Sequence, residues 1–198
     1  MKPIRFLDFS IIGIIGFLSA CCSLTAVQES REIMVKDFYG VILDGVGDIN
    51  IHCAENYKVV VTAVSNIQDI VAINVNEKIL HIDEKPNKGM NPIKLSIAVY
   101  MPELKNIKLK GVGNIKIING KTSNFEMILS GKGNIDAQNY EAENVIVNLS
   151  GIGNINTWVT KSLSGKHSGT GNILYKGAPS VNNINVTGTG DVREILSD

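Results

Sequence analysis

The stretch SGKGNIDA, residues Ser130–Ala137, recurs along the chain with small changes. SGIGNINT begins twenty residues later and KGVGNIKI begins twenty residues earlier. The shared motif, Gly-x-Gly-[Asn/Asp]-[Ile/Val], occurs six times, with gaps of 66, 20, 20, 18 and 19 residues between copies. A period near twenty is typical of a β-solenoid, in which each coil packs on its neighbours.

Apolar residues stand at fixed distances from each motif, at spacings of two that are typical of strands. This pattern makes each copy a strand, a corner and a second strand. We therefore predict an all-β fold, a short parallel β-helix with coils of about twenty residues, right-handed as parallel crossovers usually are. Four positions before the first glycine, the column is Val41, Ile107, Met127, Val147, Gly165 and Ile184. Two positions before it, the column is Leu43, Leu109, Leu129, Leu149, His167 and Val186. Four positions after it, the column is Ile49, Ile115, Ile135, Ile155, Ile173 and Val192.

The motif itself is best interpreted as a structural turn. Glycine adopts positive φ at little steric cost, and Asn or Asp tolerates that region and bonds the local backbone. Asparagines stacked in successive coils can also form a hydrogen-bonded ladder, which Asn134 is expected to join. The predicted turn residues are Gly45, Gly47, Gly111, Gly113, Gly131, Gly133, Gly151, Gly153, Gly169, Gly171, Gly188 and Gly190.

Ligand-binding interpretations of the motif fit less well. A dinucleotide fingerprint needs a third glycine and a following helix, and a P-loop needs Gly-Lys-[Ser/Thr], whereas His167 follows Lys166. Calcium-binding β-rolls repeat every nine residues and need converging carboxylates, but only Asp48 and Asp191 are acidic at the Asn position. We therefore expect no cofactor and no metal. The formal net charge of zero gives no reason to expect a nucleic acid partner.

The region between the first two motifs has a different pattern. Residues 57–63, 70–75, 79–83 and 93–100 resemble strands, residues 76–78 a hairpin turn, and residues 85–92 a polar loop. We predict one domain over 33–198. Within it, 33–104 is an irregular, partly antiparallel β layer that caps the regular coils of 105–198.

The first residues have the pattern of a targeting segment. Lys2 and Arg5 precede a twelve-residue apolar run, and Leu18-Ser-Ala-Cys21 resembles a bacterial lipobox. This predicts a lipoprotein signal peptide over 1–20, lipidation at Cys21, a tether over 21–32 and attachment to the cell envelope, at the outer membrane. The alternative is an uncleaved anchor or an ordinary signal peptide. Cys22 and Cys53 could form a disulfide, although the alternation around Cys53 favours a small buried side chain.

This leader is followed by an opening Val-x-Leu-x-Gly-x-Gly-x-Ile, a Val99-Tyr-Met-Pro102 strand end and the successive Gly-x-Gly-Asn-Ile corners. In these features the chain resembles the head GIN domain family over residues 36–194. The resemblance implies an envelope-attached β-helical protein. It carries over no catalytic residues, and the family's name suggests an adhesin.

Few residues point to chemistry. His167 replaces an aliphatic residue in an inward column, where the coil either opens into a shallow pocket or is locally distorted, with His167 solvated or bonded to backbone. Trp158 could anchor a ligand or pack on a loop. No nucleophile–base pair stands out.

The predicted function is non-enzymatic contact with an unidentified protein or glycan through exposed strand faces that carry Lys108, Lys110, Lys132, Asn148 and Asn185. Self-association at the C-terminal solenoid edge is a further possibility. The alternative is a polysaccharide-binding or polysaccharide-cleaving β-helix. Cleavage needs paired acids in one groove, but Asp136 has only Lys116 and Asn156 in its column.

Overall fold

The computed structural model describes residues 29–63, 71–84 and 95–195, and these residues form strands and no helix. Accordingly, no helix within these ranges has the length and apolar character needed to span a membrane. The predicted signal peptide, Cys21, Cys22 and the polar loop at 85–92 lie outside the described residues. In chain order the strands are β1 Glu29–Ile33, β2 Gly40–Asp44, β3 Gly47–Cys53, β4 Lys58–Ala63, β5 Val71–Asn76, β6 Ile79–Glu84, β7 Leu95–Met101, β8 Asn106–Leu109, β9 Val112–Asn119, β10 Lys121–Leu129, β11 Lys132–Leu149, β12 Ile155–His167, β13 Ile173–Lys176, β14 Val181–Val186 and β15 Val192–Glu194.

All of these strands belong to one mixed sheet that curls back on itself. Hydrogen bonds connect the strands in the order β1-β4-β7-β3-β9-β11-β10-β8-β2-β6-β5, with β12 to β15 joined beyond β11. The turning point is β11, because its first part pairs with β9 and its second part pairs with β10. The prediction of an all-β chain is therefore confirmed.

The repeats pair in parallel at the register that the motif predicts. Ile49 pairs with Ile115, Ile115 with Ile135, and the column continues through Ile155 and Ile173 to Val192. The two columns before the corner pair in the same way across β2, β8, β10, β11, β12 and β14. The five isoleucines of the column from Ile49 to Val192 are at most 1% exposed. Burial of each such side chain contributes roughly 1.5–3 kcal/mol, which holds neighbouring repeats together.

The region between the first two motifs is more regular than the sequence indicated. β6 and β7 pair in parallel with β2 and β3, so they supply one further repeat without a Gly-x-Gly motif. Leu80 and Ile82 continue the columns of Val41 and Leu43, and Ile97 pairs with Ile49. The prediction that all of 33–104 is irregular is wrong for these strands, because they keep the alternation of buried side chains and differ only at the corner.

The antiparallel layer lies beside this further repeat. β4 pairs antiparallel with β7, β1 with β4, and β5 with β6. The hairpin between β5 and β6 turns at Glu77 and Lys78, whose φ angles are 49° and 61°. A partly antiparallel layer and a turn at 76–78 are therefore confirmed. The predicted tether is too long, because residues 29–32 belong to β1 and are hydrogen-bonded to β4.

Candidate functional site

The two glycines of each corner have different roles. The second glycine is in the left-handed region from Gly113 onward, and Gly133 has a φ of +142°. The first glycine of each motif does not have positive φ. It is needed for close stacking, because a Cβ on Gly131 would overlap the carbonyl oxygen of Gly111. The expectation that both glycines turn the chain through positive φ therefore applies only to the second one, and Gly47 in the first copy is also an exception.

The asparagines of the corners form the ladder that the sequence predicts. The Asn134 Nδ2 donates to Asn114 Oδ1 at 3.0 Å, and Asn154 Nδ2 donates to Asn134 Oδ1 at 3.3 Å. Each Oδ1 also accepts the backbone N–H of the next repeat, at 2.9 Å for Asn154. The ladder begins at Asp48, whose Oδ1 accepts from Asn114, and it ends where the Asp191 N–H donates to Asn172 Oδ1.

The ladder leaves the corners little capacity to bind a ligand. The amide groups of the interior members are used between repeats, so each Oδ1 and one N–H of each Nδ2 are already engaged. In the ranges that the structure describes, no group of three or more His, Cys, Asp or Glu side chains could hold a metal ion. An aspartate suits the start of the ladder because Asp48 needs only to accept, whereas Asp191 at the other end contributes only its backbone N–H.

His167 lies in its predicted column and is buried, not solvated. It pairs with Leu149 on one side and Val186 on the other, and its Nε2 lies 2.7 Å from the carbonyl oxygen of Gly171. Its Nδ1 is buried without a hydrogen-bond partner, as is the Thr157 Oγ1. The register is unbroken across this position. His167 is thus a core residue bonded to backbone and does not open a pocket.

The shorter spacing of 18 residues is absorbed at the other corner of the repeat. The register between β11 and β12 shifts after Ala137 and again after Ala142. Trp158 lies at this irregularity and is half-buried. The ammonium group of Lys176 stands 4.3 Å from the centre of its ring, a cation–π geometry. One face of this indole is therefore occupied by a side chain of the protein.

Cys53 and Tyr140 meet near the same corner. The Tyr140 hydroxyl donates to the Leu104 carbonyl at 2.7 Å and accepts the Leu104 N–H at 3.2 Å. Burial raises the pKa of the Tyr140 hydroxyl, and it also raises the pKa of the Cys53 thiol. Both groups are therefore kept protonated, which is typical of structural side chains and not of nucleophiles.

A cleft that the sequence did not indicate lies at the strand ends beside the antiparallel layer. Its volume is about 550 Å³. Four chain segments meet there: the residues before β2, the β3–β4 loop, the β5–β6 hairpin and the residues after β7. The lining residues are Asp37, Phe38, Tyr39, Tyr57, Lys78, Pro102, Glu103 and Lys105.

The cleft combines aromatic surface with balanced charge. Tyr39 is 36% exposed, and Lys105 Nζ lies 5.9 Å from the centre of its ring. Lys105 also forms an ion pair with Glu103 Oε2 at 3.2 Å. The other oxygen of Glu103 accepts a hydrogen bond from the Thr122 hydroxyl at 2.9 Å. Glu103 thus contacts two partners, one through each carboxylate oxygen.

The backbone helps to shape this cleft. Asp37 has a φ of 63°, and Lys78 at the hairpin tip has a φ of 61°. The Tyr39 N–H donates to the Lys78 carbonyl at 2.9 Å, and the Lys105 N–H donates to the Tyr39 carbonyl at 2.7 Å. Tyr39 is therefore fixed between the hairpin and the segment after β7. A second, more apolar hollow shares Tyr57 and is lined also by Met34, Val35, Lys36 and Asn56.

Comparison with known proteins gives one family and several similar folds. A family model described as "Putative auto-transporter adhesin, head GIN domain" matches residues 37–119 and 106–179. No curated protein matches the chain. A solved structure described as a putative adhesin, from Bacteroides fragilis, has a TM-score of 0.57 at 23% identity and covers 86% of this chain and 98% of that one.

Two further solved structures are less similar. One, a putative cell adhesion protein from Clostridium sporogenes, has a TM-score of 0.47 at 17% identity, with 84% of this chain and 98% of that one covered. The other, a putative lipid binding protein from Parabacteroides distasonis, has a TM-score of 0.46 at 19% identity, with 84% and 96% covered. At these identities only the fold of the Bacteroides fragilis protein bears on this chain.

Proposed function

The chain belongs to the head GIN domain family, and we propose from this that it is a non-enzymatic protein of the bacterial cell envelope that contacts another macromolecule, in adhesion or surface assembly. The observation that carries the proposal is the cleft around Tyr39. Binding sites commonly combine an aromatic or apolar wall with a few fixed polar groups that set orientation. The cleft offers this combination in a chain whose repeated motif is occupied with its own stacking.

The chemistry of the cleft suits a partner with little net charge. Asp37 and Glu103 supply acceptors, while Lys78 and Lys105 supply donors, so the formal charges of the lining cancel. The exposed part of the Tyr39 ring can stack on an apolar face of the partner. The outward strand faces would extend the contact area. One of their lysines, Lys110, lies 3.5 Å from Asp44 and is already ion-paired.

The proposal is tested with an array of glycans and matrix proteins, probed with residues 22–198. We expect at least one specific ligand, whose affinity falls about tenfold or more in Tyr39→Ala. Tyr100→Ala is the matched control, because Tyr100 is half-exposed on β7, stacks on His52 and does not line the cleft. A chain that binds nothing on the array, or that binds equally well without Tyr39, contradicts the proposed site.

Polysaccharide cleavage receives no support from the cleft. Two carboxylates line it, but both oxygens of Glu103 are already engaged, by Lys105 and by Thr122. Cleavage of a glycosidic bond needs two carboxyl groups that both reach the substrate, one as acid and the other as base or nucleophile. Shortening of a bound glycan during incubation would contradict the non-enzymatic proposal.

We also propose that the stacked repeats form a β-solenoid with right-handed coils of about twenty residues. Its support is the parallel pairing of residues 18 to 20 apart through successive repeats. The right hand is expected because parallel crossovers almost always have it. A crystal structure with left-handed crossovers would contradict this.

Attachment to the envelope is proposed through a lipid on Cys21, with the outer membrane as the location. The support is the lipobox-like sequence and the family's description as an adhesin. Cys21→Ser is expected to move the protein from the membrane fraction to the soluble fraction, because a diacylglycerol anchor would be lost. Cys22→Ser is the matched control and should stay membrane-bound. Membrane retention of Cys21→Ser contradicts the proposed anchor.

A further inference from the structure

The two ends of the repeat array differ in how the sheet continues beyond the parallel repeats. At one end antiparallel strands extend the sheet, since β5 pairs with β6 and β4 with β1 continues from β7, so the edge strands there are β1 and β5. At the other end, β14 pairs only with β12, and β15 pairs only with β13. In the part of the chain that the structure describes, no strand lies on their outer side. Backbone N–H and C=O groups along this edge are therefore available for pairing.

The same end also exposes the core columns. Val186 is 45% exposed, whereas His167 and Leu149 in its column are fully buried. Val181 at the start of β14 is 53% exposed, and Val192 is half-buried while Ile173 next to it is buried. β14 contains no charged residue and no proline, which are the usual means of protecting an edge strand. The β14 part of this edge therefore has the features of an interface, while β15 carries Arg193 and Glu194.

We propose that a second copy of this chain covers this edge, related by a two-fold axis, so that β14 pairs antiparallel with β14 and β15 with β15 of the other copy. An isologous interface brings one edge against itself, and antiparallel pairing places residues directly opposite each other on the same face. The pairing would extend both parts of the sheet across the axis and would bury Val186 and Val192.

Among axes centred on residues 191 to 194, the charges of the last repeat favour one register. Centring the axis on Asp191, Arg193 or Glu194 would place like charges directly opposite each other, which is destabilising. Centring it on Val192 places Asp191 of each copy opposite Arg193 of the other. Glu194 then lies opposite Gly190, and no like charges meet. The sequence Asp191-Val-Arg193 is thus complementary to itself, whereas β14 imposes no charge constraint.

The test measures the mass of residues 22–198 by sedimentation over a range of concentrations. We expect a dimer. Arg193→Asp and Asp191→Arg should each weaken dimerisation by about tenfold or more, since each change creates two pairs of like charges. The double variant Asp191→Arg with Arg193→Asp should restore it. Lys132→Asp is the control, because it makes the same kind of charge change on the exposed corner far from this edge.

Several results overturn the proposal. They are a monomer at every concentration, an assembly larger than a dimer, or a dimer that the two single variants leave unchanged. A thermal midpoint measured for each variant identifies misfolding, and recovery in the double variant cannot come from a chain that fails to fold. If another protein or a downstream segment of chain occupies the edge instead, the isolated protein stays monomeric, which also overturns the proposal.

Discussion

Asn134 has four hydrogen-bonding roles at the centre of the corner ladder. Its Nδ2 and its backbone N–H both donate to Asn114 Oδ1, and its own Oδ1 accepts from the Nδ2 and the N–H of Asn154. An amide can donate and accept at once, whereas a carboxylate can only accept. Only the first member, Asp48, can therefore be acidic without losing a side-chain hydrogen bond, and Asp191 at the other end donates only through its backbone N–H.

Asn134→Asp is expected to lower the free energy of unfolding at pH 7 by about 1–3 kcal/mol. The new carboxylate loses a donor and faces the Asn114 oxygen. Protonation would restore an O–H donor, so the folded-state pKa of this group should lie above its unfolded value. The destabilisation should then diminish as pH falls below the folded-state pKa, when urea unfolding is measured at pH 7 and pH 4.

Asn148→Asp is the matched control for the ladder. Asn148 lies half-exposed on the outer face of the same strand, β11. The change there should alter stability by less than about 0.5 kcal/mol, as is usual for surface positions. Equal effects at Asn134 and Asn148 would show that the ladder does not stabilise the fold.

Tyr140 gives the protein a specific sensitivity to alkaline pH. Burial raises its pKa above the ordinary value of 10.0, so the folded state keeps the proton after the unfolded chain has lost it. Its contribution to stability is fully present below pH 10 and declines as pH rises through the folded-state pKa, by about 1.4 kcal/mol per pH unit at most. Tyr140→Phe should flatten this decline between pH 10 and 11, measured by urea unfolding.

The same substitution should cost stability at neutral pH. Tyr140→Phe leaves the buried Leu104 carbonyl without its 2.7 Å donor, which costs about 1–3 kcal/mol. Tyr175→Phe, at a half-buried tyrosine of β13, controls for the general effect of removing a hydroxyl. A decline above pH 10 that is the same with and without the Tyr140 hydroxyl rules out this group as the cause.

At this scale the sequence predicts the ladder and the columns well, because both follow from a residue type repeated at one register. The sequence predicts the roles of the glycines less well. The same residue type meets two different requirements, a positive φ at Gly133 and room for the Gly111 carbonyl oxygen at Gly131. His167 shows the same limit, because a polar residue in an inward column is compatible with exposure or with burial against a backbone carbonyl.

The hairpin between β5 and β6 is the clearest departure from local preference among the elements. Its two central residues, Glu77 and Lys78, both have positive φ, as a type I′ turn requires, although Asn-Gly is favoured there. Glu77→Asn with Lys78→Gly should therefore raise the free energy of unfolding by about 1 kcal/mol. Urea unfolding measures the gain, with Glu55→Asn in the exposed β3–β4 loop as control. A loss of stability would contradict this turn geometry.

Among the elements, motif spacing predicts the parallel strands that carry a Gly-x-Gly corner and overlooks the pair that does not. β6 and β7 resemble ordinary strands in the sequence, and their parallel pairing with β2 and β3 is a long-range choice that no local pattern encodes. The sequence also does not indicate where the repeat that is 18 residues long, two fewer than its neighbour, loses its two residues. The structure places it between Ala137 and Asn144, at the corner opposite the motif.

At the scale of the whole molecule, the array has an antiparallel layer at one end, parallel edge strands at the other, and a cleft beside the antiparallel layer. The gap of 66 residues between the first two motifs supplies the further repeat and two strands of the antiparallel layer, β4 and β5. The cleft lies where three segments of this gap meet the residues before β2, and its residues are far apart in sequence. A repeat pattern cannot predict such a site, because the site arises where the chain leaves the pattern.

The central claim is that the Gly-x-Gly-Asn corners stack the chain and that the cleft around Tyr39 makes the contact. The most direct test measures the affinity of the ligand identified on the array for the wild type, Tyr39→Ala and Ile152→Ser. Ile152 lies between the two glycines of a corner and is 56% exposed, so Ile152→Ser probes the corners as a binding surface. We predict about a tenfold or greater loss of affinity for Tyr39→Ala and unchanged affinity for Ile152→Ser. Loss of binding in Ile152→Ser, with full affinity retained in Tyr39→Ala, would contradict the central claim.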